Sequence, residues 1–386
     1  MTRAVVPADL AELVRAVGAA LDGDGPPVAP VPVLADADPG DAALVLRTSG
    51  STGSAREVAL SASALRASGE ATHSRLGGPG HWLLTLPATH VAGVQVVARA
   101  HAGHGLTAAP AGEPFTADGF AALVRRAQHD GRRYASLVPT QLHRLVVAAE
   151  SGADGGARGL DALCSLDAVL LGGATTPTAL LHRARAAGAR VVTTYGMTET
   201  CGGCVYDGVP LPGVRVRLAR GSGVVELSGP VLAEGYLGDD AATAAAFRTD
   251  ADGSRWFGTS DLGRITDDDP PRLTVLGRAD DVVVTGGVNV APAAVEDVVA
   301  GVEGVGEVCV VGVPDPEWGQ AVVAVVTLQG QASSELSGAI RRRVADRLGR
   351  AAAPRRVLVV TDLPRRGPGK VDRAAVARLA VGHDGA

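Results

Sequence analysis

Aromatic residues and long apolar runs are both scarce in this sequence. Phe, Trp and Tyr together make up 3% of its 386 residues, a bias that we attribute to genome composition. The longest largely apolar run, residues 321–328, is far shorter than the roughly 20 residues that a membrane-spanning helix needs. Asp9, Glu12 and Arg15 lie where a signal peptide would carry its apolar segment. We therefore expect a cytoplasmic protein without a membrane span.

Cysteine is also rare, which restricts the metal and redox sites that the chain can build. Cys201 and Cys204 have the spacing of a zinc or redox pair, but no second pair and no nearby histidine completes a ligand set. His101 and His104 likewise lack a carboxylate that would complete a ligand set. We favour free thiols in a reducing compartment, and histidines that lie on the surface or pack against helices.

Long basic runs are absent, and the formal net charge is −5. This balance argues against nucleic acid as the main partner and leaves ATP and anionic small molecules open. Hydrophobic residues make up 46% of a chain that is longer than one core usually supports. We expect a globular protein with two or more domains.

The stretch RTSGSTGSAREVALS, residues 47–61, is rich in glycine and hydroxyl-bearing residues. Glycines let the backbone turn and point N–H groups at a ligand, and the hydroxyls add further donors. One interpretation is therefore a phosphate-binding loop, and a flexible Gly/Ser linker is the alternative. The donors would come from Thr48, Ser49, Gly50, Ser51, Thr52 and Gly53.

Apolar strand-like runs alternate with helical patterns over the first half of the chain, which predicts a large layered α/β domain. Buried strands are predicted at 43–47, 82–86, 134–138, 168–171 and 190–194. Helices are predicted at 61–76, 91–103, 116–128, 141–149 and 177–187. Short runs at 214–218, 224–227 and 273–276, separated by turn residues, predict a β-rich subdomain.

The composition changes again near GRADDVVVTGGVNVAP, residues 277–292. We place a large domain at 1–278 and a small α+β domain at 279–386. Its predicted elements are a helix at 293–300, strands at 307–311 and 321–328, a helix at 334–348, a strand at 355–360 and a helix from Asp372. Lys370 lies on a Gly/Pro loop before that last helix, either as a solvated lysine or as a cation delivered into a cleft.

Five short motifs occur in an order that resembles the adenylate-forming superfamily of acyl-CoA synthetases, luciferases and peptide-synthetase adenylation domains. They are TSGSTG at 48–53, YGMTET at 195–200, TSDLG at 259–263, GRADD at 277–281 followed by GGVNVAP, and GKVDR at 369–373. The resemblance implies that ATP activates a carboxylic acid as an acyl-adenylate with release of pyrophosphate. It also implies that the small domain is mobile and swings between the two half-reactions.

Longer segments are similar to one branch of this superfamily, the ligases that join 2-succinylbenzoate to CoA in menaquinone biosynthesis. They are 86–100, 136–145, 170–174 and TYGMTETCGGCVYDGVPLPGV at 194–214. Three alternatives stay open: ligation of another carboxylic acid to CoA, loading of an acyl group onto a carrier protein, and a degenerate nucleotide binder without turnover. Retention of Glu199, Asp261 and Lys370 argues against the last.

The resemblance implies an ATP and AMP site built from several motifs. The 48–53 loop would bind the β- and γ-phosphates, Tyr195 would stack on adenine, and Thr198 would donate to the α-phosphate. Glu199 would hold Mg²⁺, since a carboxylate suits a hard cation. Asp261 would accept the ribose hydroxyls, although it also suits a turn cap. The implied site further includes Gly172, Gly173, Ala174, Gly196 and Arg278.

The resemblance also implies how the two half-reactions share one cleft. Lys370 would bridge the α-phosphate and the attacking carboxylate in the first. In the second, Asp280 would be the hinge, and CoA would pass a tunnel lined by Gly286, Gly287 and Val288. Arg278 could instead simply pair with Asp280 or Asp281.

His90, Thr140 and Gln141 are the residues that we expect beside the acyl substrate. His90 begins a helix, where it would gate the pocket or contact the reacting carboxylate; a histidine packed at a helix start is the alternative. The sequence does not identify the group that holds the second carboxylate of the substrate.

Two features depart from the family pattern. The phosphate loop usually continues Pro-Lys-Gly, whereas Ala55, Arg56 and Glu57 follow here, so the loop cation is an arginine with a different contact geometry. About 47 residues precede the loop, fewer than in most relatives. We therefore expect a reduced first subdomain and a possible homo-oligomer.

Overall fold

The structure is a computed structural model that describes residues 4–48, 55–127, 129–329, 335–365 and 371–382. Most of the predicted phosphate loop, residues 49–53, and the predicted catalytic Lys370 lie outside the described residues. Two predicted helix ends, Gln128 and Ser334, also lie outside them.

The strands range from two to eleven residues, and about half of them lie within a few residues of the runs that predicted them. In chain order they are β1 Ala42–Arg47, β2 Glu57–Ser61, β3 His81–Leu84, β4 Leu106–Ala108, β5 Arg133–Leu137, β6 Ala168–Leu171, β7 Val191–Met197, β8 Gly202–Tyr206, β9 Val209–Pro210, β10 Arg215–Leu218, β11 Val224–Ser228, β12 Gly235–Tyr236, β13 Phe247–Thr249, β14 Arg255–Ile265, β15 Leu273–Arg278, β16 Val283–Thr285, β17 Val288–Val290, β18 Val305–Asp315, β19 Gly319–Leu328 and β20 Arg356–Val359.

The helices surround these strands. They are α1 Leu10–Asp22, α2 Ala62–Leu76, α3 Val91–His101, α4 Ala117–Arg126, α5 Pro139–Glu150, α6 Gly156–Cys164, α7 Thr178–Ala186, α8 Asp240–Ala246, α9 Pro292–Ala300, α10 Leu336–Leu348 and α11 Arg373–Gly382. In the described part of the chain, none of them combines the length and the apolarity that a bilayer crossing requires.

A sheet of order β4-β3-β5-β6-β7-β8-β9 forms the centre of the N-terminal part. The strands β4 to β7 are parallel to one another, and β8 and β9 continue the sheet antiparallel. Every residue of β6 is buried, as expected for a parallel strand that is covered on both faces. Trp82 and Leu170 belong to one apolar cluster and Leu83 and Val169 to another, so alternate side chains feed two cores. The predicted layered α/β class is confirmed.

Two smaller sheets complete the N-terminal part. Strands β10, β11, β14, β13 and β15 form the predicted β-rich subdomain, with β15 paired to β14. Strands β1 and β2 form an antiparallel hairpin that β12 extends. The hairpin places the two ends of the predicted phosphate loop next to each other.

The C-terminal part is the expected α+β unit. Its sheet has the order β17-β16-β19-β18, and β20 pairs parallel with β19. One apolar cluster includes Val295 of α9 and Ile340 of α10, and the other includes Val376 of α11, so helices cover both faces. The domain limits at 278 and 279 stay a prediction.

All four cysteines lie in the described residues and are free thiols. Cys201 and Cys204 are fully buried beside the central sheet. Burial raises the pKa of both thiols, to about 12 for Cys204. They are therefore packing residues and poor nucleophiles in the folded chain.

Candidate active site

The carboxyl ends of the parallel strands carry the predicted nucleotide residues. Gly172, Gly173 and Ala174 follow β6 directly, and Tyr195 lies in the neighbouring β7. Gly173 has a φ of +83° and is exposed, a backbone that favours glycine. Ligands of parallel α/β sheets bind outside this edge, so the position suits an adenine-binding segment.

Tyr195 and Asp261 are joined by a hydrogen bond across two sheets. The Tyr195 hydroxyl donates to Oδ2 of Asp261 at 2.8 Å. Burial raises the pKa of the Asp261 carboxyl, and the Tyr195 hydrogen bond and the Arg278 charge oppose this rise. Burial and the Asp261 carboxylate also raise the pKa of Tyr195, so its hydroxyl stays protonated. The pair places one acidic acceptor beside the Gly172–Gly173 edge.

Arg278 lies opposite Asp261 in the β14–β15 ladder and also pairs with Asp280. Its Nε and Nη2 atoms donate to the two Asp280 oxygens at 2.8 and 2.7 Å. These hydrogen bonds lower the pKa of Asp280. The structural alternative that we gave for Arg278 is therefore observed, and it connects the ribose-side acid to the predicted hinge.

A single 3-10 turn, Thr198–Thr200, follows β7 and carries two predicted phosphate-side residues. Oγ1 of Thr200 accepts the Met197 N–H at 3.0 Å, and it lies 2.8 Å from the Gly202 carbonyl. Thr198 is buried, whereas Glu199 is partly exposed. The Tyr236 hydroxyl donates to Oε1 of Glu199 at 3.0 Å. Hydrogen bonds therefore hold both the last residue of the turn, Thr200, and the carboxylate of Glu199.

The two ends of the phosphate loop are hydrogen-bonded to each other. The Thr48 N–H donates to the Arg56 carbonyl at 2.8 Å, and Oγ1 of Thr48 accepts the Arg56 N–H at 3.0 Å. Next to Arg56, the buried Glu57 accepts the N–H groups of Leu34 and Ala35, each at 2.8 Å. Burial opposes the ionisation of Glu57, but these bonds and Arg47 outweigh it and lower its pKa.

Arg365 and Val371, the described residues on either side of 366–370, are bridged to each other, and Arg365 is tied to the C-terminal sheet. Nη2 of Arg365 pairs with both carboxylate oxygens of Glu307 at 2.6 and 2.7 Å. Burial lowers the pKa of His143 on α5, and the nearby Glu307 carboxylate opposes this. Glu307, the partner of Arg365, therefore lies within electrostatic range of His143 on α5, the helix that carries Thr140 and Gln141.

The predicted acyl-side residues differ in how they are held. Gln141 is buried; its Nε2 donates to the Thr85 carbonyl and its Oε1 accepts the Val138 N–H, each at 3.1 Å. Both ends of this side chain are thus engaged within the fold. His90 precedes α3 as its N-cap residue. Substrate contacts of His90, Thr140 and Gln141 stay predictions.

The predicted CoA-side loop is exposed on the C-terminal part. Gly286 and Gly287 have φ values of +56° and +79° in the turn between β16 and β17. A Cβ atom at Gly286 would lie 2.5 Å from the Trp318 ring, so glycine is required there. The role of Gly286, Gly287 and Val288 toward CoA stays a prediction.

A magnesium ion at this site would have few protein ligands. Within the described ranges, no group of three or more His, Cys, Asp or Glu side chains is arranged to hold a metal ion. Mg²⁺ in nucleotide sites is commonly bound by one or two carboxylates together with substrate phosphates. Glu199, held at the strand edge, fits that pattern.

Tyr236 contacts the predicted site residue Glu199, and Arg255 supports the backbone beside it; no sequence motif indicated either residue. Nη1 and Nη2 of Arg255 donate to the Ala233 and Glu234 carbonyls, each at 2.6 Å, and so fix the strand that carries Tyr236. The segment AEGYLG, just before a polar turn, was the available signal. Glu199, the partner of Tyr236, lies 37 residues away in the sequence, and no local sequence pattern indicates a contact over that separation.

The model of the AMP-binding enzyme family matches residues 7–237, and that of the AMP-binding enzyme C-terminal domain matches residues 294–370. A probable 2-succinylbenzoate–CoA ligase of Mycobacterium tuberculosis is 43% identical over 89% of this chain and 85% of its own length. The 2-succinylbenzoate–CoA ligase of Escherichia coli is 32% identical over 85% of this chain and 67% of its own length.

Solved structures with the same fold carry related ligands. The o-succinylbenzoate CoA synthetase of Bacillus subtilis in complex with its acyl-adenylate intermediate has a TM-score of 0.73 and 26% identity, over 88% of this chain and 70% of that one. ATP-bound MatB from Rhodopseudomonas palustris has a TM-score of 0.73 and 28% identity, over 89% and 69%. The chain belongs to the family of AMP-binding enzymes.

Proposed function

We propose that this chain is an AMP-forming acid–thiol ligase that converts 2-succinylbenzoate and CoA to 2-succinylbenzoyl-CoA in menaquinone biosynthesis. The observation that carries the proposal is the convergence of Gly172, Tyr195, Glu199 and Asp261 at one sheet edge. The similarity to 2-succinylbenzoate–CoA ligases over most of the chain supports the choice of acid.

In the first half-reaction an oxygen of the substrate carboxylate attacks the α-phosphorus of ATP. The bond from the α-phosphorus to the bridging oxygen breaks, and pyrophosphate leaves with that oxygen. The product is a mixed anhydride between the acid and AMP. Two anions approach each other in this step, so a positioned cation lowers the barrier. We assign this role to Lys370, with Thr198 donating to the α-phosphate.

Lys370 is the only lysine in the sequence; every other cationic side chain that can stay charged at neutral pH is arginine. A compact ammonium on a flexible stem can enter a narrow cleft between two oxygens, whereas a planar guanidinium needs more room. The presence of a single lysine, on a Gly/Pro segment between the bridged residues Arg365 and Val371, supports its assignment as the catalytic cation.

The other nucleotide contacts follow from the same edge. Tyr195 would lie against adenine with Gly172 to Ala174 along it, and Asp261 would accept the ribose hydroxyls. Glu199 would hold Mg²⁺. When bound, the ion neutralises charge on the triphosphate. Thr48 and the loop beyond it would bind the β- and γ-phosphates.

In the second half-reaction the CoA sulfur attacks the acyl carbon, the thioester forms, and AMP leaves with the anhydride oxygen. We assign the CoA passage to Gly286, Gly287 and Val288 and the hinge to Asp280. The bidentate pair of Arg278 with Asp280 would connect nucleotide occupancy to the position of the small domain.

The proposal is tested by incubating the purified protein with ATP, Mg²⁺, 2-succinylbenzoate and CoA, and by measuring the thioester and AMP by mass spectrometry. We expect both products in equal amounts. Benzoate, which lacks the succinyl chain, is the matched control and should give neither. AMP without thioester would favour loading of a carrier protein, and thioester formation only with another acid would overturn the choice of substrate.

A further inference from the structure

Tyr236 lies between the cation that follows the phosphate loop and the carboxylate assigned to Mg²⁺. Its hydroxyl donates to Oε1 of Glu199 at 3.0 Å, and the guanidinium carbon of Arg56 lies 5.0 Å from the centre of its ring. The side chain is only 8% exposed. One aromatic side chain therefore contacts both charged groups: its hydroxyl reaches Glu199, and Arg56 lies over its ring and also interacts with the hydroxyl.

The backbone around Tyr236 is fixed to the same two elements. The Ala233 N–H donates to the Glu199 carbonyl at 2.9 Å, and the Leu237 N–H donates to the Glu57 carbonyl at 2.7 Å. Tyr236 itself lies opposite Val58 in the β2–β12 ladder. Since β2 begins directly after the phosphate loop, a displacement of the loop end is passed to the position of the Tyr236 hydroxyl.

The contact with Arg56 gives a reason for the arginine at this position. A guanidinium is planar and weakly hydrated, so it stacks on an aromatic face better than an ammonium does. Arg56 is exposed and Tyr236 is buried, so the ring offers the cation a fixed surface at the edge of the site.

We propose that Tyr236 is a positioning residue that holds the Glu199 carboxylate and the Arg56 guanidinium in a fixed relation, so that both meet the same Mg²⁺–triphosphate. The inference rests on the proposed function for the identity of that ligand.

The test is calorimetric ATP binding to the full chain across a range of Mg²⁺ concentrations and in EDTA. Tyr236→Phe keeps the ring and removes only the hydroxyl. We expect the Mg²⁺ concentration for half-maximal ATP binding to rise about tenfold, the low end for loss of an outer-shell partner, with ATP affinity in EDTA unchanged. Tyr134→Phe is the matched control, because it removes a buried hydroxyl that donates to Leu76 and Gly78 carbonyls at the other end of the sheet.

Two further variants separate positioning from a general structural effect. In a Glu199→Gln background, Tyr236→Phe should add no further change in the Mg²⁺ requirement, since the two residues act through one contact. Arg56→Lys should weaken ATP binding about equally with Mg²⁺ and in EDTA.

Three results would overturn the assignment of Tyr236. They are an unchanged Mg²⁺ requirement in Tyr236→Phe, an equal shift in Tyr134→Phe, and an equal loss of affinity in EDTA. No acid or CoA is present in this assay. A wild-type protein that makes 2-succinylbenzoyl-CoA while Tyr236→Phe behaves as wild type would therefore refute the positioning role and leave the proposed function standing.

Discussion

Single residues carry the two roles that are easiest to separate by substitution. Lys370 is assigned to one half-reaction alone. Asp261 is a half-buried acid whose ionisation opposes folding, and we assign it to ribose binding. Substitution of Lys370 should lower the rate of one half-reaction and spare the other. Substitution of Asp261 should raise stability and lower ATP affinity.

Lys370→Ala should lower the rate of acyl-adenylate formation by at least about 100-fold, because the charge that offsets two approaching anions is lost. Conversion of chemically supplied acyl-adenylate and CoA to the thioester should stay within about twofold, since the proposed domain movement removes the lysine from the cleft in that step. Pyrophosphate release and thioester formation measure the two steps separately. Lys370→Arg keeps the charge and should recover little, because the guanidinium is broader. An equal fall in both half-reactions would contradict the assignment.

Asp261→Asn should stabilise the free protein at neutral pH and weaken ATP binding. Burial raises the pKa of Asp261 in the folded chain, so the folded state holds its proton more tightly than the unfolded state does. Stability due to this group therefore falls as the pH rises from its ordinary pKa through the raised one. The asparagine variant should gain little in melting temperature near pH 4 and more near pH 7.

The affinity for ATP should move in the opposite direction. The amide of the asparagine variant would offer one acceptor oxygen where the Asp261 carboxylate offers two, so we expect ATP to bind about tenfold more weakly, which corresponds to about 1.4 kcal/mol. Asp252→Asn, on an exposed turn, is the control and should leave ATP affinity unchanged. A melting-temperature gain that does not depend on pH would contradict the role of burial at Asp261.

At the scale of elements, the sequence predicted the strands β3, β5, β6 and β7 of the central sheet and missed β4, β8 and β9. The predicted strand at 168–171 coincides with β6, because a fully apolar run bounded by turns is typical of a parallel strand. The predicted helix at 141–149 begins at Pro139, since proline suits the first turn of a helix. The helix α6 was missed, since no element was predicted between 149 and 168.

The glycines of α6 are explained by close packing against neighbouring helices. A Cβ atom at Gly159 would lie 2.8 Å from Cβ of Ala117 on α4, and one at Gly156 would lie 2.2 Å from the Ala148 carbonyl on α5. Such contacts between distant segments leave no periodic signal in the sequence. The same reason hides the Tyr236–Glu199 contact and the register that pairs Asp261 with Arg278.

Gly159→Ala should therefore lower the free energy of unfolding by about 1–3 kcal/mol, the usual cost of overpacking. Gly338 on α10 is the matched control, because a Cβ there meets only the end of the flexible Arg342 side chain, at 3.3 Å. Gly338→Ala should stabilise by about 0.5–1 kcal/mol through helix propensity. Urea unfolding measures both variants, and equal effects of the two substitutions would contradict the packing argument.

At the scale of the whole molecule, the two parts of the chain meet through a helix end. Oδ1 of Asp297 on α9 accepts the N–H of Thr178, the first residue of α7, at 2.9 Å. A carboxylate at a helix N-terminus stabilises by about 0.3–1 kcal/mol. In the same orientation of the two parts, Glu307, the partner of Arg365, lies within electrostatic range of His143 on α5. That orientation suits the first half-reaction, since α5 carries the predicted acyl-side residues.

Asp297→Ala should therefore slow acyl-adenylate formation about threefold to fivefold, because the loss of up to about 1 kcal/mol shifts the population away from this orientation. Conversion of supplied acyl-adenylate to the thioester should be unchanged or faster, and ATP affinity should stay the same. Asp9→Ala is the matched control: it removes the cap of α1, which accepts the Glu12 N–H at 2.8 Å, far from the contact between the two parts. That variant should lose about 1 kcal/mol of stability and keep the ratio of the two half-reactions. If Asp297→Ala instead lowered only thioester formation, the orientation seen here would belong to the second half-reaction, and the assignment of Lys370 to a cleft beside α5 would have to be revised.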